Sequence, residues 1–257
     1  MAVKLKTAAQ IDLMRASGRI TGEVLSRLGE MIRPGLTTEE LNAEAERITK
    51  DAGGECLFKG VPGRGGPFPG SICASVNEEV VHGIPSSRRI CDGDVVSVDF
   101  GVKLNGWCSD AARTFIVGSV PPRVAHLVEV TQNALAMATE MIRPGEKWSN
   151  LARAMQSYVE GEGFSVVREF VGHGIGTEMH EDPKVPNFVS RELVANDIML
   201  VEGMVIAVEP MVNMGSCDVE YAPDGWAILT RDRKFSAHFE NSLAVCSDGA
   251  KVLTDGN

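Results

Sequence analysis

The sequence has few basic residues and no run of them. Its 257 residues include 25 Lys and Arg against 35 Asp and Glu, which gives a net charge of −10. A nucleic-acid-binding protein is expected to concentrate positive charge on one face or in one segment. The chain is therefore predicted to bind neither DNA nor RNA.

Long apolar segments are also missing. No stretch approaches the roughly 18 consecutive apolar residues that indicate a membrane-spanning helix. The first residues, MAVKLKTAAQIDLMR, reach a capped helix too soon to contain the apolar core of a signal peptide. These absences predict a cytoplasmic protein that does not enter a membrane.

Cysteine is scarce and scattered. The six cysteines, at positions 56, 73, 91, 108, 217 and 246, form no C-x-x-C pair, so neither a disulfide framework nor a thiolate zinc site is predicted. With 44% hydrophobic residues the chain can bury a large core without such links. No flexible linker divides it, and we expect a single domain over residues 1–257, built from two related halves, about 8–118 and 119–255.

An internal repeat indicates these two halves. The pentapeptide MIRPG occurs at Met31–Gly35 and again at Met141–Gly145. At the same offset DGDVVSVDF faces EGMVIAVEP, which aligns Asp99 with Glu209. A sequence repeat indicates the architecture before it indicates a function. For the turn and the helices, the alternative is a relic of gene duplication that has no role today. A carboxylate that ends the same apolar run in both halves favours a function for the acids.

Two α-α-β-β units are predicted from periodicity and caps. Capping boxes and helical spacing of apolar residues predict four helices. The first covers about 8–31, and the second runs from the cap at 37 to the glycines at 53–54. The third and fourth cover about 123–142 and 148–161. Short apolar runs between turns predict strands at 71–76, 95–102, 107–117, 166–170, 204–213, 226–230 and 239–246. The expected α+β fold is an antiparallel or mixed sheet with a pseudo-twofold axis, covered by four helices.

Acidic residues end several of the predicted strands. In VVSVDFGVKLNGWCSDAARTFIV a loop at KLNG would place Asp99 opposite Asp110, whereas a tighter Asn-Gly turn shifts the pairing by two residues. Either register leaves both aspartates on one face, among apolar neighbours. Glu209 and Glu240 end apolar runs in the second half, so the pseudo-symmetry predicts that four carboxylates converge.

Four carboxylates in one apolar pocket require compensation. Like charges about 4–5 Å apart repel by roughly 4 kcal/mol per pair at an effective dielectric of about 20, and burial of each ion adds a further cost. Two divalent cations would neutralise the set. The alternatives are shared protons in two acid dyads, or separate acids in water at the strand ends. We therefore predict a site for two divalent metal ions.

The histidines divide into two groups. His173 and His180 lie in FVGHGIGTEMHEDP and His82 lies in VVHGIP, all in loops marked by Gly or Pro after apolar runs, where functional side chains are common. His126 and His238 are interpreted as satisfied core residues. Mixed Asp, Glu and His donors exclude a site that demands thiolate, but leave manganese, iron, cobalt and zinc open.

Glycine-rich segments do not indicate a nucleotide site. Gly172, Gly174 and Gly176 alternate instead of following the dinucleotide-binding spacing, and GVPGRGGPFPG (Gly60–Gly70) leads into neither a helix nor a βαβ unit. We interpret Gly60–Gly70 as a surface loop, with the rim of a pocket as the alternative.

Five segments, in this order, resemble a known family. NEEVVHGIP, VDFG with CSDAARTF, GHGIGTEMHEDP, GMVIAVEPM and HFENS are similar to the type I methionine aminopeptidases, which have the pita-bread metallopeptidase fold, and the resemblance covers about 8–255. It implies a hydrolase that removes the N-terminal methionine from nascent proteins and peptides with a small second residue, by attack of a metal-bridging water or hydroxide. It also implies two divalent metal ions (cobalt, manganese, iron or zinc), a monomer, and action on nascent chains at the ribosome.

The resemblance assigns metal ligands to particular residues. Asp99, Asp110, His173, Glu209 and Glu240 match the five ligands of a dinuclear site, and Asp110 and Glu240 match the pair that bridges the metals. The number of metals implied in this way agrees with the charge argument.

The resemblance also implies substrate contacts and catalytic roles. His82 and His180 match histidines that bind the substrate and the tetrahedral intermediate, and Glu209 matches the group that relays a proton. Four further residues match the methionine pocket: Phe68, Cys73, Met179 and Trp226. Phe68 stands where many relatives have tyrosine, Met179 stands where many have phenylalanine, and an extra run around PGRGGP precedes Phe68.

Three other functions are alternatives. A proline-specific aminopeptidase of the same fold usually carries a separate N-terminal domain, and here the first repeat begins almost at residue 1. A catalytically inactive binding module would be expected to have lost ligands, whereas all five are present. A phosphate-ester hydrolase with two metals would need a basic group near the motifs, and none stands out.

Overall fold

The computed structural model describes residues 3–256, which contain five α-helices. Their bounds are α1 (Ala8–Met31), α2 (Thr38–Asp51), α3 (Pro122–Met141), α4 (Trp148–Gly161) and α5 (Arg191–Ala195). The four long helices confirm the prediction, with α3 displaced by one residue, whereas the short α5 was not predicted. Within these residues no helix combines the length and the hydropathy that a membrane crossing requires.

Capping boxes determine where the first two helices begin. Thr7 Oγ1 accepts a hydrogen bond from Gln10 N at 3.3 Å, and Gln10 Oε1 accepts one from Thr7 N at 2.8 Å. Thr37 and Glu40 form the same reciprocal pair at 3.2 and 2.8 Å. α3 and α4 begin without a side-chain cap. The repeat therefore preserves the positions of the helices but not the chemistry that starts them.

Seventeen strands lie within residues 3–256, and nine of them form one antiparallel sheet. The strands are β1 (Glu55–Cys56), β2 (Pro62–Gly63), β3 (Gly66–Pro67), β4 (Cys73–Val76), β5 (Glu79–Val81), β6 (Val95–Leu104), β7 (Trp107–Ile116), β8 (Ser165–Val166), β9 (Gly172–Gly174), β10 (Glu181–Val185), β11 (Val205–Val208), β12 (Met211–Asn213), β13 (Val219–Tyr221), β14 (Ile228–Thr230), β15 (Ser236–His238), β16 (Glu240–Cys246) and β17 (Gly249–Val252). The large sheet has the order β1-β6-β7-β16-β11-β9-β10, with β4 paired to β6 and β17 paired to β16.

Two predicted strands differ from the observed ones. The strand expected over 204–213 is two strands, because Pro210 lacks an N–H and cannot continue the ladder. The break leaves Glu209 between β11 and β12. The strand expected over 166–170 is reduced to β8, and Phe170 beyond it lines a cavity instead.

The β6–β7 hairpin has the tighter of the two predicted registers. Its turn is Asn105-Gly106, whose φ values of 50° and 83° suit a two-residue turn with both central residues in the left-handed region. Asp99 therefore pairs with Ala112. Asp110 lies two residues before Ala112 and points to the same face as Asp99.

Each helix pair covers an apolar core, and the sheet continues between the halves. α1 and α2 pack on β6 and β7 around buried residues that include Leu28 and Phe100. α3 and α4 pack on β11 and β16 around residues that include Leu151 and Leu243. β16 pairs with β7 beginning at Glu240. The acids of the two halves therefore meet where the halves join.

Gly18 of α1 is expected to tolerate no side chain. A Cβ at this position would lie 2.0 Å from the carbonyl oxygen of Leu253. Gly18→Ala must separate the helix from that backbone, and we expect it to lower the free energy of unfolding by about 1–3 kcal/mol, as overpacking does in other cores. Urea unfolding measures the loss. Gly161→Ala at the end of α4 is the matched control, because no atom lies within 4 Å of its added Cβ. Equal losses in both variants would contradict the argument.

Candidate metal centre and substrate pocket

Five ligand-type side chains are supplied by neighbouring strands of the large sheet. Asp99 lies on β6, Asp110 on β7 and His173 on β9. Glu240 is the first residue of β16, and Glu209 directly follows β11. Because β6, β7, β16, β11 and β9 are consecutive in the sheet, these residues converge although they are far apart in sequence.

The side chains meet at distances suited to a shared cation. Asp110, His173 and Glu240 each offer a ligand atom, and these atoms all lie within 4.8 Å of one another. Nε2 of His173 is 3.6 Å from Oε1 of Glu209. Asp99 faces the same cavity. The structure therefore brings together the five residues that the sequence motifs indicated.

Unpaired buried oxygens show that the cluster fits a metal ion. Among residues 3–256, Oδ1 of Asp99, Oδ1 of Asp110 and Oε1 of Glu240 are buried without a hydrogen-bond partner. Such atoms are normally paired in proteins, and leaving them unpaired is costly. Carboxylate and imidazole donors suit divalent first-row metals. A buried Asp, Glu and His cluster of this kind indicates divalent metal binding.

Burial and mutual repulsion oppose ionisation of these acids. Burial raises the pKa of Asp99 to about 7. Burial, followed by the charges of Glu240 and Asp99, raises the pKa of Asp110 well above its usual range. Burial and then neighbouring acids also raise the pKa values of Glu209 and Glu240. Cations in the cluster would reverse this, because they stabilise the ionised carboxylates.

His173 is held as a neutral imidazole. Its Nδ1 lies 2.9 Å from the carbonyl oxygen of Gly174, which favours a proton on Nδ1 and leaves Nε2 as an acceptor facing Glu209. Burial, followed by the charge of His180, lowers the pKa of His173 to about 4. The rings of His173 and His180 are 4.3 Å apart between centroids.

The acid cluster opens into a cavity of about 710 Å³ with mainly apolar walls. All of the predicted substrate-contact residues line it: Phe68, Cys73, His82, Met179, His180 and Trp226. Phe58 lines it as well. The rings of Phe68 and Trp226 meet edge to face with centroids 5.0 Å apart. The cavity therefore joins a polar cluster to a space that suits an apolar side chain.

His82 faces this cavity from a left-handed backbone position. Its φ is 60°, which is uncommon for a residue with a side chain and is often associated with functional sites. The ring meets Phe170 and Trp226 edge to face at 5.4 and 6.4 Å. Burial lowers the pKa of His82 to about 4, so the imidazole is neutral near neutral pH.

The interpretation of two histidines as satisfied core residues is wrong. His126 is partly exposed on α3, where its Nε2 lies 2.8 Å from Oε2 of Glu162. His238 is buried, but it lines the cavity, and its Nε2 lies 3.9 Å from Oε2 of Glu209 and lacks a hydrogen-bond partner. A signal for His238 was present in HFENS, because residues two apart in extended chain share a face and Glu240 is two residues later.

Comparisons with known proteins agree with this site. The sequence model of metallopeptidase family M24 matches residues 12–247. The chain is 47% identical to the methionine aminopeptidase of Clostridium perfringens, over 97% of this chain and 98% of the relative. It is 45% identical to methionine aminopeptidase 1 of Bacillus subtilis, over 97% and 98%. The crystal structure of the methionine aminopeptidase from Thermotoga maritima matches with a TM-score of 0.93 and 38% identity, over 98% of this chain and 99% of that one.

The curved antiparallel sheet and its buried acids define the pita-bread class of metallopeptidases. The chain belongs to metallopeptidase family M24. Within that family it groups with the methionine aminopeptidases, which match it over nearly their whole length.

Proposed function

We propose that this chain is a metal-dependent aminopeptidase that removes the N-terminal methionine from peptides and nascent proteins with a small second residue. The observation that carries the proposal is the cluster of buried, partly unpaired carboxylates at a cavity whose walls are mainly apolar. The methionine aminopeptidases to which the chain is 45–47% identical support the same activity.

The residues that would hold the metal are those of the cluster. Asp99, Asp110, His173, Glu209 and Glu240 would hold the metal, and together they offer enough oxygen and nitrogen donors for two divalent cations. Two ions balance four carboxylates, which supports a pair over a single ion. When bound, the ions supply positive charge that activates a water and polarises the carbonyl under attack.

The side chains of the chain supply proton transfer and orientation. Glu209 accepts a proton from the attacking water and returns it to the leaving amine nitrogen. His180, beside His173, donates a hydrogen bond to the oxygen that becomes negative in the tetrahedral state. His82, neutral and facing the cavity, donates to the peptide group next to the scissile bond.

The apolar walls select the side chain at the N-terminus. Phe68, Cys73, Met179 and Trp226 offer two aromatic rings and two sulfur atoms, and such surroundings suit a flexible thioether. The proposal extends to action on chains emerging from the ribosome, by a monomer of one domain in the cytoplasm. The net charge of −10 agrees with a peptide rather than a nucleic-acid substrate.

Substrate and metal dependence test the proposal together. We expect release of methionine from Met-Ala-Ser, no cleavage of Xaa-Pro peptides and no hydrolysis of a phosphate monoester. Release is expected to stop after complete chelation and to return when a divalent metal is added, because the bound ions would supply the positive charge that lowers the pKa of the attacking water. Liberated amino acid is measured by chromatography. Unchanged methionine release by metal-free protein would refute the metallopeptidase function.

A further inference from the structure

The hairpin of β2 and β3 within Gly60–Gly70 is part of the pocket and not a detached surface loop. At its base, Gly60 N donates to the carbonyl oxygen of Phe68 at 2.8 Å, and Phe68 N donates to the carbonyl oxygen of Val61 at 2.8 Å. Val61 and Phe68 both line the cavity. Any movement of the hairpin base therefore moves two walls of the pocket.

The tip of the hairpin lies against the indole of Trp226. A Cβ added to Gly63 would lie 2.4 Å from Cη2 and Cζ2 of the indole. A Cβ added to Gly65 would lie 2.7 Å from Cδ1 of the indole and 2.2 Å from the carbonyl oxygen of Asp224. These glycines allow the hairpin backbone to contact the aromatic ring, and side chains would prevent it.

Two interactions hold the hairpin, one to the indole of Trp226 and one to strand β13. The indole Nε1–H of Trp226 donates to the carbonyl oxygen of Gly66 at 3.1 Å. The guanidinium of Arg64 lies 4.2 Å from the ring centroid of Tyr221 on β13, which is a cation–π contact. The hairpin is therefore closed at its base, bonded to the Trp226 indole through Gly66, and attached to β13 at its tip.

Trp226 is held between this hairpin and the cavity. On the cavity side its ring lies next to Phe68 and His82. A half-buried indole without the hairpin would be free to change rotamer, and the width of the pocket would change with it. The hairpin removes that freedom.

We infer that the hairpin 61–67 determines specificity: by holding the Trp226 indole in one position, it sets the width of the pocket for the N-terminal side chain. The inference rests on the proposed function and deepens it. A wall fixed in this way accepts an unbranched thioether and penalises branched or wider side chains, because one misplaced methylene in an apolar pocket changes selectivity by about 10–200-fold.

Gly65→Ala tests the inference, because its Cβ would collide with backbone at Asp224 and force the tip off the indole. We expect KM for Met-Ala-Ser to rise about tenfold with little change in kcat, and the preference for Met-Ala-Ser over Leu-Ala-Ser to fall about tenfold. Acrylamide quenching of tryptophan fluorescence should increase. Arg64→Ala loses only the contact with Tyr221. It should change KM, the preference for Met-Ala-Ser and the quenching in the same directions as Gly65→Ala, but by smaller amounts.

Gly161→Ala is the control, since it makes the same chemical change in open space and should leave KM, selectivity and quenching unchanged. If Gly65→Ala does not fold, Arg64→Ala provides the measurement. Wild-type selectivity in a variant whose indole has become more accessible would overturn the inference. Absence of methionine release by the wild type would instead refute the proposed function. In that case, unchanged fluorescence quenching in Gly65→Ala would separately refute the claim that the hairpin holds the Trp226 indole.

Discussion

Asp110→Asn is expected to abolish methionine release while the protein remains folded. Asp110 is buried, its Oδ1 has no hydrogen-bond partner within residues 3–256, and it lies within 4.8 Å of ligand atoms of His173 and Glu240. The amide would be a weaker ligand and would remove one negative charge from the cluster. We expect kcat to fall by at least about 10³-fold, the upper end of the loss caused by removing a single electrostatic contact.

Metal affinity and stability separate this effect from unfolding. We expect the affinity for the metal to fall by more than about 100-fold, because even groups outside the ligand shell contribute 10–100-fold. The metal-free variant should be more stable than metal-free wild type near neutral pH, since one of the mutually repelling acids is gone. Calorimetric titration with manganese or cobalt measures the metal affinity. Urea unfolding after chelation measures the stability of the metal-free proteins.

Asp12→Asn is the matched control for this substitution. Asp12 is exposed and pairs with Lys251 at 3.2 Å, and surface pairs of this kind contribute little to stability. Its variant should keep wild-type activity and metal affinity. Wild-type kcat in Asp110→Asn with the full complement of metal bound would contradict the assignment of Asp110 as a ligand.

Lys6→Met is expected to destabilise the whole protein. Nζ of Lys6 lies 2.8 Å from Oε2 of Glu181, and both side chains are only 4% exposed. Removal of the ammonium leaves the carboxylate of Glu181 buried, with the backbone N–H of Thr177 at 3.1 Å as a remaining donor. We expect the free energy of unfolding to fall by about 3 kcal/mol, in line with the breaking of buried ion pairs. Urea unfolding at neutral pH measures the loss.

The pH dependence of this loss has a defined sign. Burial raises the pKa of Glu181, but the hydrogen bond and charge of Lys6, the backbone N–H of Glu178 and the charge of Lys4 together outweigh it, and the pKa lies below its ordinary value of 4.5. A lowered pKa in the folded state stabilises the protein above the unfolded pKa, and this contribution disappears as the pH falls through the folded pKa. The difference between wild type and Lys6→Met should therefore be largest near neutral pH and should narrow below about pH 4.

Lys4→Met tests whether burial is the cause. Lys4 Nζ lies 3.5 Å from Oε1 of the same Glu181, but its side chain is 63% exposed. A lysine whose own side chain stays largely in water contributes about 0–1 kcal/mol through such a pair, so this variant should be nearly as stable as wild type. Comparable losses for Lys4→Met and Lys6→Met would contradict the argument from burial.

Local features of the sequence were enough to locate the helices. The capping boxes at Thr7 and Thr37 and the helical spacing of apolar residues predicted α1 to α4 closely, because caps and periodicity act within a few residues. The strands were predicted less well where one proline or a short segment decided the outcome, as at Pro210. The short α5 and many of the two- or three-residue strands carried too few residues for a periodic signal.

The register of the central hairpin could be narrowed but not chosen from the sequence. KLNG allowed two pairings, and the tighter Asn105-Gly106 turn is the one observed. Both pairings leave Asp99 and Asp110 on one face, so the prediction that these acids share a face was insensitive to the choice. The contact of the hairpin with Trp226 was not predictable, because Gly63 and Gly65 are distant in sequence from the indole that they touch.

The sequence by itself determined the residue types, the repeated helix pairs and the acids that end apolar runs, since these depend on short-range periodicity and on chemical identity. Only the tertiary structure decided that His238 also faces the cavity, that Lys6 is buried against Glu181, and that a glycine-rich hairpin holds a pocket wall. The physical reason is that burial, desolvation and close backbone contact arise when distant segments pack together, and no window of the sequence contains both partners.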